Sequence, residues 1–67
     1  MQIYVVTMYR WGNRENHSYV EYVGDSENAA VKAGENEASR RGGKYDYEID
    51  MFILNSHTSI KIKRLSE

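Results

Sequence analysis

The side chains with the most chemical potential in this chain are cationic and aromatic, and they come in two short runs. The first is Arg10-Trp11-Gly12-Asn13-Arg14, with His17 just beyond it. The second is Arg40-Arg41-Gly42-Gly43-Lys44-Tyr45. Arginine presents a planar fork of donors matched to carboxylates and phosphates, and lysine adds a point charge. Exposed Trp and Tyr rings supply stacking area. A fold that joined the two runs would make Arg10, Trp11, Arg14, His17, Arg40, Arg41, Lys44 and Tyr45 one patch for an anionic partner. Trp11→Ala and Arg41→Glu would then abolish capture of that partner and leave the fold intact. Structure alone also accounts for part of the pattern. Arginines suit a helix C-terminus, Gly42-Gly43 suits a left-handed cap, and Trp11 at a turn can fold back over a hairpin.

Other chemistries find no pattern. A metal site needs three or four converging ligands, and His17 and His57 belong to opposite ends of the topology derived below. Ser18 beside His17 is no nucleophile–base pair, because neighbours in a strand point to opposite faces. Gly42-Gly43-Lys44 follows a helix and lacks a hydroxyl residue after the lysine, so it is no phosphate loop. Asp46, Glu48 and Asp50 read as a solvated row paired with Lys61 and Lys63. The expectation is a non-enzymatic protein with no cofactor and no metal.

Sixty-seven residues allow one small domain and one small core. There is no cysteine to staple it, which fits a reducing compartment. No apolar run is long enough to span a bilayer and no signal-peptide pattern is present, so no membrane role is expected. Hydrophobic residues are 40% and charged residues 28%, ordinary for a folded domain. Six tyrosines dominate the aromatic content, and tyrosine buries ring area while leaving a hydroxyl at the rim.

The elements follow from periodicity. Gln2 to Trp11 alternates Ile3, Val5, Thr7 and Tyr9 against Tyr4, Val6 and Met8, apolar on both faces as an inner strand requires. A turn at Gly12 to Glu15 leads to a second strand, His17 to Val23, with either a two-residue or a four-residue loop. Asp25-Ser26 offers an N-cap for a helix running to about Arg41. That helix buries a small-residue stripe, Ala30, Gly34 and Ala38, flanked by Val31 and Ala33. Tyr45 to Leu54 then alternates Tyr45, Tyr47, Ile49, Met51 and Ile53 against Asp46, Glu48 and Asp50. After a turn about Ser56-His57 comes Ser59 to Leu65, which would set Met51 opposite Ile62 and Asp50 opposite Lys63.

The result is an α+β fold, ββαββ, with an antiparallel four-stranded sheet of order 2-1-3-4 and the helix on one face. Ile3, Val5, Val20, Ala30, Ala38, Ile49, Met51 and Ile62 are the expected core. Both basic runs then fall at one end of the sheet, joined by Lys63 and Arg64. Of the nine basic residues only Lys32 and Lys61 lie elsewhere.

The string Y-R-W-G-N-R-E-N-H-S-Y-V, followed by G-x-x-E-A-S-R-R-G-G-K-Y, resembles a group of small, mostly uncharacterised bacteriophage accessory proteins. The similarity covers about Ile3 to Ile49, and no site residue is carried over from it. It implies a host-cytoplasmic protein that binds and redirects or inhibits a host factor, or neutralises a host defence. The partner would be a host protein with an acidic surface or an anionic, nucleotide-like ligand. Two alternatives stand beside this reading: a small nucleic-acid-binding module using the same patch, and a structural homodimer joined through the sheet edges.

Overall fold

The computed structural model describes residues 1–12 and 17–64. It contains β1 (Gln2–Arg10), β2 (Ser18–Gly24), α1 (Glu27–Arg40), β3 (Tyr45–Ile53) and β4 (Ser59–Lys63). The strands form one sheet in the order β2-β1-β3-β4. Every pairing is antiparallel, and α1 packs against β1, β2 and β3. The expected α+β architecture is the observed one. No helix among the described residues is long and apolar enough to cross a membrane.

The core differs from expectation in which face of β1 it uses. Tyr4, Val6 and Met8 are buried beneath the helix with Tyr47, Ile49 and Met51, and Ala30 meets them from the helix side. Ile3 and Val5 are only half-buried on the opposite face. Both rows of β1 are apolar, so its own pattern does not choose between them. The partner strand does. Tyr4 pairs with Met51, Val6 with Ile49 and Met8 with Tyr47, while Val5 and Thr7 fall opposite Asp50 and Glu48. Matching apolar row to apolar row across the ladder sends Ile3 and Val5 outward.

Val20 follows them, since it pairs with outward-facing Thr7 and is exposed. Ala30, Ile49 and Met51 are buried as expected, Ala38 is half-buried, and Ile62 is exposed. Near the first turn, Thr7–Val20, Met8–Tyr19 and Tyr9–Ser18 share the register of the four-residue loop. Most of that loop lies outside the described residues. A bulge between Val6 and Thr7 then shifts the pairing to Val6–Tyr22 and Val5–Val23. A regular strand turns positions three apart to opposite faces; the bulge lets Tyr19 and Tyr22 both pack against the core.

The second hairpin is offset by two residues from its expected register. Met51 pairs with Ile60 and Asp50 with Lys61, rather than with Ile62 and Lys63. Asn55 takes up a positive φ of 65°, a conformation asparagine tolerates. The Ser56 N–H donates to the Ile53 carbonyl at 3.1 Å, which moves the centre of the turn back along the chain. A two-residue offset preserves both faces because the strand period is two. A second bulge between Ile49 and Asp50 brings Lys63 opposite Ile49.

The helix has the expected caps. Ser26 Oγ accepts from the Ala29 N–H at 3.1 Å. At the other end Gly42 and Gly43 have φ of 69° and 80°. The Gly43 N–H donates to the Ala38 carbonyl at 3.2 Å and the Gly42 N–H to that of Ser39 at 3.0 Å, which is the Schellman arrangement. Within the helix, buried Gly34 lies directly over Tyr47. A Cβ at position 34 would overlap that ring, with Cε2 only 2.6 Å away. Gly34→Ala should therefore destabilise the protein. Alanine gains about 1 kcal/mol of helix propensity, but overpacking costs roughly 1–3 kcal/mol. Gly34→Leu should cost more. Urea titration checks this, and a higher melting temperature for either variant would mean that the ring gives way.

Candidate functional site

The end of the sheet where β1 stops and β3 starts collects the described residues of the two basic runs. Arg10 pairs with Tyr45 across β1 and β3. The Trp11 N–H donates to the Lys44 carbonyl at 3.0 Å, fixing the first hairpin to the segment that leaves the helix. The Schellman cap turns the chain immediately after Arg41, so the C-terminus of α1 reaches the same place. Trp11, Arg10, Arg40 and Lys44 are exposed there, Tyr45 is half-buried, and His17 is exposed just ahead of β2. Arg14 lies outside the described residues. The structure thus brings Arg10, Trp11, Arg40, Arg41, Lys44 and Tyr45 together.

Two residues absent from the sequence-based patch organise it: Tyr19 and Glu37. Glu37 is 3% exposed and is the one carboxylate on the helix stripe that faces the sheet. Its Oε2 accepts from the Tyr19 hydroxyl at 2.5 Å and from Arg41 Nε at 3.2 Å. Its Oε1 accepts from Arg40 Nη2. Three donors on one anion hold the carboxyl down, from 4.5 to about 2; the Tyr19 bond contributes most, opposed by burial and joined by Arg40 and Arg41. Burial, followed by the bond to Glu37, pushes the Tyr19 hydroxyl up, so it remains a donor.

Above this carboxylate Arg41 lies over two rings, its Cζ 5.5 Å from the Tyr19 centroid and 5.3 Å from that of Tyr45. The rings are themselves 5.6 Å apart and tilted by 60°. Both distances suit cation–π attraction. Arg41 is thereby held in one orientation, yet its side chain is 49% exposed, and that of Arg40 is 74% exposed. Each arginine spends part of its donor set on Glu37, Arg41 also engages the Tyr19 hydroxyl, and both keep exposed surface. Among the described residues four cations gather here, Arg10, Arg40, Arg41 and Lys44, with Glu37 paired to two of them and Asp46 taken up by Lys63. The end is cationic and partly preorganised.

Lys63 reaches this end but is already engaged. Its ammonium donates to Asp46 Oδ1 at 3.3 Å and to the Tyr47 carbonyl at 3.0 Å, 4.3 Å from the Tyr47 ring centroid. Lys61 bridges Glu48 at 2.9 Å and Asp50 at 2.8 Å. The acidic row of β3 is paired with lysines as expected, although Glu48 is buried rather than solvated. A cleft of about 210 Å³ beside the basic end is lined by Glu21, Ala33, Asn36, Glu37 and Arg40. Its two carboxylates make it a poor receptor for an anion, which leaves the outer end as the candidate surface.

The sequence does contain a signal for Glu37. It lies three and four residues before Arg40 and Arg41, the spacing of helical ion pairs, and it interrupts an apolar stripe. Tyr19 carries no such local mark, since its position depends on the bulge. The contact with Glu37 also changes the choice of probe. Arg41→Glu would set a second carboxylate against a buried one, so it disturbs the fold as well as the surface. Compared with protein-family models, curated proteins and solved structures, the chain finds no match.

Glu37 gives the site a pH signature. Its carboxyl is depressed in the folded state, so the unfolded chain binds the proton more readily between pH 4.5 and about 2. Stability from Glu37 is complete above that window and is lost as pH falls through it. Glu37→Gln should lower stability at neutral pH and flatten the acid limb of the stability curve. Urea midpoints measured across this range check the prediction, and an unchanged acid limb would contradict it.

Proposed function

We propose that the protein is a non-enzymatic bacteriophage accessory protein that binds and modulates or inhibits a host factor through the basic, aromatic end of its sheet. The observation that carries the binding surface is the Trp11–Lys44 backbone bond beside the Arg41 guanidinium laid over Tyr19 and Tyr45. Glu37 accounts structurally for Arg40 and Arg41, but exposed Arg10 and Lys44 gathered beside them repel one another and contribute little to stability, which supports recognition as the reason they are there. Trp11 is the apolar anchor and the arginines are the directional donors, the residue types that dominate interface energetics. The resemblance to small phage accessory proteins supplies the host-factor context.

The favoured partner is an acidic protein surface. The cations are spread over a strand end, a turn and a helix end, an open arrangement suited to a broad surface. A nucleotide-like ligand is the smaller version of the same chemistry. A nucleic-acid module is the rival class, and the net charge of −1 weakens it.

Tagged protein incubated with bacterial lysate, with and without nuclease, tests the proposal. Capture of a defined host protein should survive nuclease and fall only gradually with salt. Trp11→Ala and the double variant Arg10→Glu/Lys44→Glu should abolish it while keeping the wild-type circular dichroism and melting temperature. Unchanged capture by both variants would overturn the assignment of the surface. Loss of the captured material on nuclease treatment, with a steep salt dependence, would favour nucleic acid instead.

A further inference from the structure

The sheet face opposite the helix carries an apolar area that the basic end does not use. Along β1 it presents Ile3, Val5, Thr7 and Tyr9, the row whose cross-strand partners are outward-facing. On β2 it presents Val20 and Val23, 57% and 63% exposed, and on β3 Phe52, 43% exposed. Charged residues keep to the β3–β4 side, where Lys61 neutralises Glu48 and Asp50. An exposed apolar half beside an ion-paired half suits contact with another protein surface. We infer that this face is the contact between two copies of the chain, packed sheet on sheet.

A second copy is the occupant for three reasons. The first is area. The four strands comprise thirty residues, which at ordinary strand rise and spacing tile roughly 500 Å² per copy, the ion-paired β3–β4 side included. Two such faces bury about 1,000 Å² or somewhat more, the level at which a specific interface becomes plausible. The second is the domain's own requirement. Seven buried apolar side chains form the entire described core. There is no cysteine, and no metal-ligating cluster occurs among the described residues. A core this small gains from a further source of burial, and association supplies one.

The third reason is self-complementarity. A two-fold axis lying in the interface and crossing the strands at the level of Val6 sets β1 on β1 and β2 on β2. Val20 and Val23, level with Thr7 and Val5, then exchange places, so each covers the other's counterpart in the second copy. Apolar half meets apolar half, as aligned sheet packing requires. Pairing through the edges is the weaker route to a dimer. Both edge strands carry a bulge and β4 carries two lysines, which are devices that blunt an edge.

Sedimentation equilibrium of the full chain, from micromolar to near-millimolar, tests this. The wild type should shift from one-chain to two-chain mass, and its melting temperature should rise with concentration. Thr7→Lys and Val20→Lys should each leave the mass of a single chain and abolish that concentration dependence. Thr7→Lys places its charge opposite Glu48, so the fold should tolerate it, and circular dichroism monitors this. Thr7 is on an inner strand, so an edge-joined dimer would keep its mass in that variant and the inference would fail. A wild type that stays a single chain throughout would equally overturn it. Arg10→Glu/Lys44→Glu should leave the mass unchanged, separating this surface from the basic end.

Discussion

The close seating of the helix on the sheet at Gly34 is the contact on which the rest of the molecule depends. With no Cβ at that position, the Tyr47 ring takes up the space a side chain on the helix would need. One turn further along, Glu37 comes within reach of the Tyr19 hydroxyl on an edge strand. A helix lifted by a methyl group or more would separate that pair, leave a buried carboxylate with fewer donors, and release Arg41 from its rings. The glycine lowers helix propensity by about 1 kcal/mol, and the missing methyl secures the tyrosine layer and the polar cluster together.

That arrangement explains why the cationic end is more than a helix terminus. Arginines at a helix C-terminus are usual, and most are solvated and mobile. Here Arg40 and Arg41 share an anion held by a tyrosine from another element, and Arg41 lies over two aromatic rings. Ordering a long side chain before a partner arrives removes part of the entropy that binding would otherwise cost. The Trp11–Lys44 backbone bond does the same for the relative position of the two runs.

Much of this was legible in the sequence, and the rest failed for identifiable reasons. Element order, strand order, both helix caps and the meeting of the basic runs follow from periodicity, Gly42-Gly43 and chain direction. The core face of β1 did not, because Ile3-Val5 and Tyr4-Val6-Met8 are equally apolar and only the partner row on β3 decides between them. The second hairpin's register was missed because alternation is blind to a two-residue offset; the left-handed Asn55 sets it. Tyr19 was missed because a bulge breaks the period that sequence reading relies on. Glu37 was passed over too, although its spacing to Arg40 and Arg41 is a local signal, because its importance emerges only with Tyr19 beside it.

The central position of β1 also bears on how the chain reaches this state. Gln2 pairs with Ile53 and Arg10 with Tyr45, so β1 gains its second flank only after long loops close around the helix. Closure of that kind is entropically costly before any contact rewards it, which places the domain among slower-folding topologies of its size. The first hairpin is too small to persist alone. Until β3 docks, β1 is an unpaired edge with apolar side chains on both faces, a template for strands of other molecules. The hazard of misassembly therefore concentrates in the strand that later lies at the centre of the sheet, and it grows with the concentration of newly made chains.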